Sequence, residues 1–153
     1  MKHSTKTIIF KGLSVLPSQL GYSLYHFLQN IGGNNKLEYK MESAKNTFKT
    51  VVGILDKNNI KLAHKNIAEL GSGWVPIFPY QLITEGKVKK VDTYDVNEHF
   101  SQKEIEQLNA FYANQFDCVF EKKGKYNLLK GVSYFPKTTI CEGEIQNIDL
   151  VLS

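Results

Sequence analysis

Cysteine is scarce in this sequence, and the spacings by which cysteine builds metal and disulfide sites are missing. Among 153 residues there are two cysteines, Cys118 and Cys141, and neither belongs to a CxxC pair or to a cysteine–histidine spacing typical of zinc ligands. A disulfide framework needs more cysteines, and a structural zinc site needs closely spaced ligands. We therefore predict no metal site and two buried free thiols.

Long apolar runs and long basic runs are absent as well. No stretch reaches the roughly 18 apolar residues that a membrane-spanning helix requires, and residues 1–16 lack the cleavage pattern of a signal peptide. The formal net charge of +4 is spread along the chain, and the lysine pairs at 89–90 and 122–123 are too short for a nucleic-acid-binding arm. These absences predict a cytoplasmic protein that neither spans a membrane nor binds nucleic acid.

The length suits a single domain with a genuine hydrophobic core. Apolar residues at helical spacing predict one helix over about residues 20–31 and a second over about residues 37–58. The first is too short to be an independent unit. We therefore expect residues 1–59 to form a helical segment that packs on a main domain of residues 60–153.

Strand-like and helix-like segments alternate through this main domain. The predicted strands are 66–70, 88–94, 131–135 and 148–152, and the predicted helices are 77–85 and about 102–116. Ser101 and Glu104 have the spacing of a capping box for the second of these helices, and residues 117–130 are predicted to be a linker followed by a short turn. The alternation predicts an α/β fold, a Rossmann-like parallel sheet with helices on both faces.

The fourth predicted strand, residues 148–152, is the last element of the sequence. If it pairs beside the first strand, it would be an interior strand of a complete sheet, and at an open edge it would expose an unpaired apolar ladder. Either another chain covers it by self-association, or the domain is truncated after strand four and the sequence is the amino-terminal part of a longer domain. We expect the second.

The most informative stretch of the sequence is an apolar run that ends in a carboxylate and two glycines. Its residues are Glu69-Leu70-Gly71-Ser72-Gly73-Trp74. A glycine turn after a strand lets a nucleotide-like ligand approach the backbone at the carboxyl end of a parallel sheet. A phosphate loop is excluded because no Gly-Lys-Ser/Thr is present. A dinucleotide fingerprint needs a third glycine where Pro76 stands, and proline removes an N–H that a pyrophosphate would use.

The same residues resemble the first motif of the class I S-adenosylmethionine-dependent methyltransferases, which is an acidic residue, an apolar residue and then Gly-x-Gly. More specifically, residues 69–76 are similar to the ELGxGWxP turn of a bacterial group in that class, and Asp95 with His99 is similar to its DxxxH second motif. Residues 148–153 resemble the fourth motif. The resemblance covers roughly residues 60–153. It departs at Val75, where many members have glycine, and at Thr138, near which an acidic residue is usual.

The resemblance implies a cofactor site for S-adenosylmethionine. Its residues would be Glu69, Leu70, Gly71, Ser72, Gly73, Trp74, Asp95, Val96 and Thr138. Glu69 would act through the network of the turn or on the cofactor amino group, and Asp95 would accept the ribose hydroxyls. Asp92 is the alternative ribose ligand, because both aspartates lie about 20 residues after the glycines. No catalytic base is assigned.

The leading hypothesis is a methyltransferase acting on an unidentified acceptor, with small molecules and glycans among the candidates. If the domain is incomplete, this chain alone would be inactive, because a half sheet lacks an acceptor pocket. The alternative is a non-catalytic Rossmann-like binding or scaffold module. An NAD(P)-dependent reductase is the third hypothesis.

Overall fold

The computed structural model describes residues 37–139 and 146–153. Residues Met41–Ser153 form one compact unit. The helix predicted over residues 20–31 and the thiol of Cys141 lie outside the described residues. Cys118 is a free, partly buried thiol. Within the described ranges, no helix combines the length and the apolar character needed to cross a bilayer.

The first five described elements alternate between helix and strand, as the sequence predicts, and four strands follow them. In chain order they are α1 Leu37–Lys57, β1 Asn66–Leu70, α2 Ile77–Thr84, β2 Lys90–Asp95, α3 Gln102–Gln115, β3 Phe120–Lys123, β4 Tyr126–Leu129, β5 Val132–Pro136 and β6 Leu150–Leu152. Four strands form a parallel sheet in the order β5-β2-β1-β6. The predicted α/β, Rossmann-like class is therefore confirmed.

One face of the parallel sheet carries the main hydrophobic core. Ile67 of β1 pairs in register with Val91 of β2 and Leu150 of β6, so their side chains point to the same face. Helices α1 and α2 cover this face with Phe48, Leu55 and Leu82. The apolar stripe of α1 and the continuous apolar run of β1 thus meet in one buried layer, which anchors the start of the glycine turn.

Two prolines stand at the start of α2 without breaking it. Pro76 is the N-cap residue, and Pro79 is the third residue of the helix. The first N–H groups of a helix have no acceptor within the helix, so proline at these positions removes no helical hydrogen bond. At the other end Gly86 follows the C-cap, as predicted, because a Cβ there would lie 2.7 Å from the carbonyl oxygen of Leu82.

The predicted ends of several elements differ from the structure by one or two residues. Strand β2 begins at Lys90 rather than at residue 88, and β6 begins at Leu150 rather than at residue 148. Ser101 is the N-cap of α3, as predicted, but it makes no side-chain cap hydrogen bond. The capping-box hydrogen bond predicted for Ser101 is therefore absent, and the helix starts there because its apolar face packs from Ile105 onward.

Residues 120–129 form an antiparallel hairpin, so the predicted linker and turn are wrong. Strands β3 and β4 pair from Phe120 with Leu129 to Lys123 with Tyr126. Gly124 has a φ of +60°, at the first central position of the turn, where a type II′ turn requires glycine. The hairpin is hard to recognise in the sequence because lysine is uncommon in strands, and β3 ends in two lysines.

The hydroxyl of Tyr80 joins α2, α3 and the hairpin. It donates to Oδ1 of Asn109 at 2.7 Å and accepts the backbone N–H of Leu129 at 3.0 Å. The amide of Asn109 in turn donates to the carbonyl of Asn127 at 2.8 Å. Since Tyr80 is fully buried, water does not replace any partner that is lost.

Tyr80→Phe should lower the free energy of unfolding by about 1–3 kcal/mol, because a buried donor and a buried acceptor lose their partner. The measurement is urea unfolding followed by circular dichroism. Tyr39→Phe is the matched control, since Tyr39 is exposed on α1, and it should change the unfolding free energy by less than about 0.5 kcal/mol. Equal effects of the two substitutions would contradict the role given to the Tyr80 hydroxyl.

Candidate functional site

The carboxyl ends of three neighbouring parallel strands meet at one edge of the sheet. The backbone N–H of Gly71, just after β1, donates to the carbonyl of Tyr94 near the end of β2 at 2.9 Å. The N–H of Thr138, just after β5, donates to the carbonyl of Asp95 at 3.1 Å. These bonds hold the glycine turn, the end of β2 and the end of β5 side by side, where α/β sheets bind ligands.

The two glycines of the turn adopt backbone conformations that other residues disfavour. Gly71 has a φ of +83° and Gly73 a φ of +70°, both in the left-handed region. A Cβ added to either glycine would meet nothing within 4 Å. The backbone conformation therefore requires glycine here, and the space beside the turn is open to a ligand.

Asp95 places a buried carboxylate directly against this turn. Its carboxylate accepts the backbone N–H groups of Gly73 and Asn97, and its Oδ1 lies 3.6 Å from Nε2 of His99. Burial raises the pKa of Asp95, while His99 and the two N–H groups act to lower it. The other oxygen, Oδ2, is buried and has no hydrogen-bond partner in the described part of the chain. That oxygen can accept a hydrogen bond from a ligand.

Glu69 places a second buried carboxyl group at the same edge. The side chain is 6% exposed, and the hydroxyl of Thr93 donates to its Oε2 at 2.6 Å. Burial raises the pKa of Glu69 to about 7, with the hydrogen bond from Thr93 opposing the shift and the charge of Asp95 adding to it. Glu69 therefore changes its charge near neutral pH.

The side chains of four other predicted site residues have different surroundings. The hydroxyl of Ser72 is buried and, within the described ranges, has no hydrogen-bond partner. The ring of Trp74 lies 5.7 Å from the ring of His99, tilted by 41°. Val96 is 66% exposed just beyond β2, and the hydroxyl of Thr138 donates to the carbonyl of Pro136 at 3.3 Å.

Leu70 and Asp92 face away from the buried carboxyl groups. Successive side chains of a strand point to opposite faces, so Leu70 lies on the face opposite Glu69, and Asp92 on the face opposite Asp95. On that opposite face Nζ of Lys90 lies 2.7 Å from Oδ2 of Asp92. Asp95, which the sequence favoured over Asp92 as the ribose ligand, is therefore the aspartate at the glycine turn.

Two residues of this site were not predicted from the sequence, Thr93 and Tyr134. Thr93 lies between Val91 and Asp95 on one face of β2, and a period-two reading of this strand from Asp95 would have found it. The hydroxyl of Tyr134 accepts the N–H of His99 at 2.9 Å and donates to the carbonyl of Asn97 at 3.1 Å. No local signal marks Tyr134, because its partners are more than 30 residues away.

Metal ligands or similarity to known proteins would be further indications of a function for this edge of the sheet. Among the described residues, no three side chains of histidine, cysteine, aspartate or glutamate are grouped so that they could hold a metal ion. Comparison of the chain with protein-family models, with curated proteins and with solved structures gives no match. The side chains at this edge are therefore what indicates a function.

The pKa of Glu69 predicts how stability depends on pH. It is about 7 in the folded chain against an ordinary value of 4.5, so the folded state holds a proton that the unfolded state releases between these values. The stabilisation is fully present below about pH 4.5 and is lost as the pH rises through about 7. Its size is on the order of 3 kcal/mol.

Glu69→Gln should therefore stabilise the chain relative to the unsubstituted protein, and the difference should grow as the pH is raised from about 4.5 to about 8. Urea unfolding at several pH values measures this difference. Glu42→Gln is the control, because Glu42 is exposed on α1 and its substitution should leave the pH dependence unchanged. A pH-independent difference for Glu69→Gln would show that Glu69 does not titrate in this range.

Proposed function

We propose that this chain binds S-adenosylmethionine at the glycine turn and acts as a methyltransferase on an acceptor still to be identified. The observation that carries the proposal is the buried carboxylate of Asp95, whose Oδ2 has no hydrogen-bond partner within the described ranges, beside the open backbone of Gly71 and Gly73. The similarity of residues 69–76, Asp95 and His99 to methyltransferase motifs supports the same cofactor.

Asp95 fits the ribose of a nucleoside. The two ribose hydroxyls are neutral donors, and each oxygen of an ionised carboxylate has two acceptor positions. The N–H groups of Gly73 and Asn97 already orient the carboxylate, so its remaining acceptor positions are held before a ligand arrives. An orienting contact that exists before binding reduces the ordering that binding requires.

Glu69 fits the positive charge of the same cofactor. When bound, S-adenosylmethionine supplies a methyl group on a positively charged sulfur, which activates that group for transfer. A nearby cation favours the ionised form of a carboxyl group, and Glu69 is a buried carboxyl with a pKa of about 7. Glu69 would therefore release its proton as the cofactor binds, and the main task of the site is to align donor and acceptor.

The start of α2 makes a nicotinamide dinucleotide a poorer fit. A pyrophosphate is bound by N–H groups at a helix N-terminus, but Pro76 has none, and the N–H of Ile77 donates to the carbonyl of Val75 at 2.8 Å. In addition, all 19 cationic side chains in the sequence are lysines, so no arginine is available for a 2′-phosphate. These features favour a nucleoside ligand without a pyrophosphate.

Catalysis, as distinct from binding, is tested by transfer of a labelled methyl group. Small molecules and glycans are the acceptor classes we propose first, in a cytoplasmic extract supplied with labelled S-adenosylmethionine. Incorporation that disappears with Asp95→Asn would support an enzyme. Binding without any incorporation would instead support a non-catalytic module.

Asp95→Asn should weaken the binding of S-adenosylmethionine by about 10- to 100-fold, because a charge-assisted hydrogen bond contributes about 1.5–3 kcal/mol. Isothermal titration calorimetry measures the affinity. Asp92→Asn is the matched control, a buried aspartate of the same strand whose side chain faces the other way, and binding should change by less than about twofold. If circular dichroism shows both variants to be folded and both lose the same affinity, Asp95 does not bind the cofactor.

The affinity for S-adenosylmethionine should rise by about five- to tenfold between pH 6 and pH 7.5, since the ionised form of Glu69 is the one that attracts a cation. Calorimetry in buffers with different ionisation enthalpies should also show proton release at pH 6.5. Glu69→Gln should bind more weakly and remove both effects. Proton uptake, or a pH dependence that survives this substitution, would be inconsistent with the role proposed for Glu69.

A further inference from the structure

The hairpin of residues 120–129 contacts the loop that follows Asp95. This loop, residues 96–101, joins β2 to α3 and carries Glu98. Nζ of Lys125, in the hairpin turn, lies 2.7 Å from Oε1 of Glu98. The hydroxyl of Tyr126 lies 3.1 Å from the same carboxylate oxygen and 3.0 Å from the carbonyl oxygen of Phe100. One turn of the hairpin therefore reaches both a side chain and a backbone group of the loop.

Glu98 also reaches the end of β5. Nζ of Lys137 lies 3.6 Å from Oε2 of Glu98. Lys137 has a φ of +56° and stands between Pro136 and Thr138, whose N–H donates to the carbonyl of Asp95. A single carboxylate thus connects the hairpin turn, the loop after β2 and the segment after β5.

Aromatic residues also hold the loop. The ring of Phe100 stacks on the ring of Tyr134 at 3.7 Å, and the ring of Tyr126 meets each of them edge-on at 5.8 Å. The hydroxyl of Tyr134 bonds the backbone of Asn97 and His99. Backbone groups at three of the four positions from 97 to 100 are therefore held by tyrosine hydroxyls.

We propose that Glu98 and Lys125 are a positioning pair through which the hairpin fixes the loop that orients Asp95. The proposal rests on the function proposed above. The loop supplies the N–H of Asn97 and the imidazole of His99 to the carboxylate of Asp95. A shift of the loop would therefore turn that carboxylate away from a ribose, although no atom of Glu98 or Lys125 need touch the ligand.

An ion pair with this role differs from one that only stabilises the fold. The side chain of Lys125 is 62% exposed, and exposed ion pairs contribute little to folding. Removing the pair should therefore leave the unfolding free energy almost unchanged. In the loop, the pair adds a side-chain contact to the backbone contacts that Tyr126 and Tyr134 make there.

The hairpin provides its own control. Glu121 of β3 pairs with Lys123 at 3.7 Å and with Lys130, just after β4, at 4.0 Å, so its ion pairs do not involve Glu98. Glu121→Gln removes ion pairs of the hairpin without touching Glu98. Lys125→Arg keeps a cation opposite Glu98 and is the conservative rescue of Lys125→Gln.

The experiment uses the full chain and two measurements. Amide hydrogen exchange by NMR at Asn97 and His99 reports the loop without any ligand, and calorimetry with S-adenosylmethionine reports the site. Glu98→Gln and Lys125→Gln should each speed exchange at these two amides by about 2- to 5-fold and weaken binding by a similar factor. Glu121→Gln and Lys125→Arg should match the unsubstituted chain in both measurements.

Three results would overturn the positioning pair: unchanged exchange in Glu98→Gln and Lys125→Gln, faster exchange with unchanged binding, or equal effects from Glu121→Gln. Absence of binding by the unsubstituted chain is a different result. It would contradict the proposed binding of S-adenosylmethionine, and the pair would then have no role in such binding. The exchange rates would still show whether the hairpin fixes the loop.

Discussion

Two carboxyl groups are kept out of water at the carboxyl edge of one parallel sheet, and much of the structure around them depends on this constraint. Burial of a carboxylate is unfavourable unless hydrogen bonds compensate for the lost hydration. Asp95 obtains two backbone N–H groups, while Glu69 obtains the hydroxyl of Thr93 and a pKa of about 7. Among the described residues, Oδ2 of Asp95 keeps no hydrogen-bond partner, and this oxygen is the one that the proposed ligand would use.

The surrounding elements hold that edge in place from below and from the side. Helices α1 and α2 bury the face of the sheet that carries Ile67 and Val91, which fixes the strands whose ends form the edge. The hairpin and Tyr134 then bind the loop after β2, through contacts that span more than 25 residues of sequence. The loop beside Asp95 is thus held by residues that include a strand outside the parallel sheet.

Prediction from the sequence succeeded where the signal was local and failed where it was not. The glycine turn, the four parallel strands and the prolines of α2 follow from periodicity and from backbone preferences within a few residues. The hairpin was missed because β3 ends in Lys122 and Lys123, which are not typical strand residues, although Gly124 marks the turn. Tyr134 was missed because its value to the site depends on Asn97 and His99, which are distant in the chain.

The sequence by itself determined the class of fold and the chemistry available at the glycine turn, because glycine, proline and apolar spacing act through local sterics and burial. The sequence favoured Asp95 over Asp92, but only the tertiary structure brought Asp95 against the turn and placed Thr93 beside Glu69. The physical reason is the alternation of a strand: one residue of offset sends a side chain to the opposite face. The pairing of β1, β2 and β5 decides which side chains share a face of the sheet.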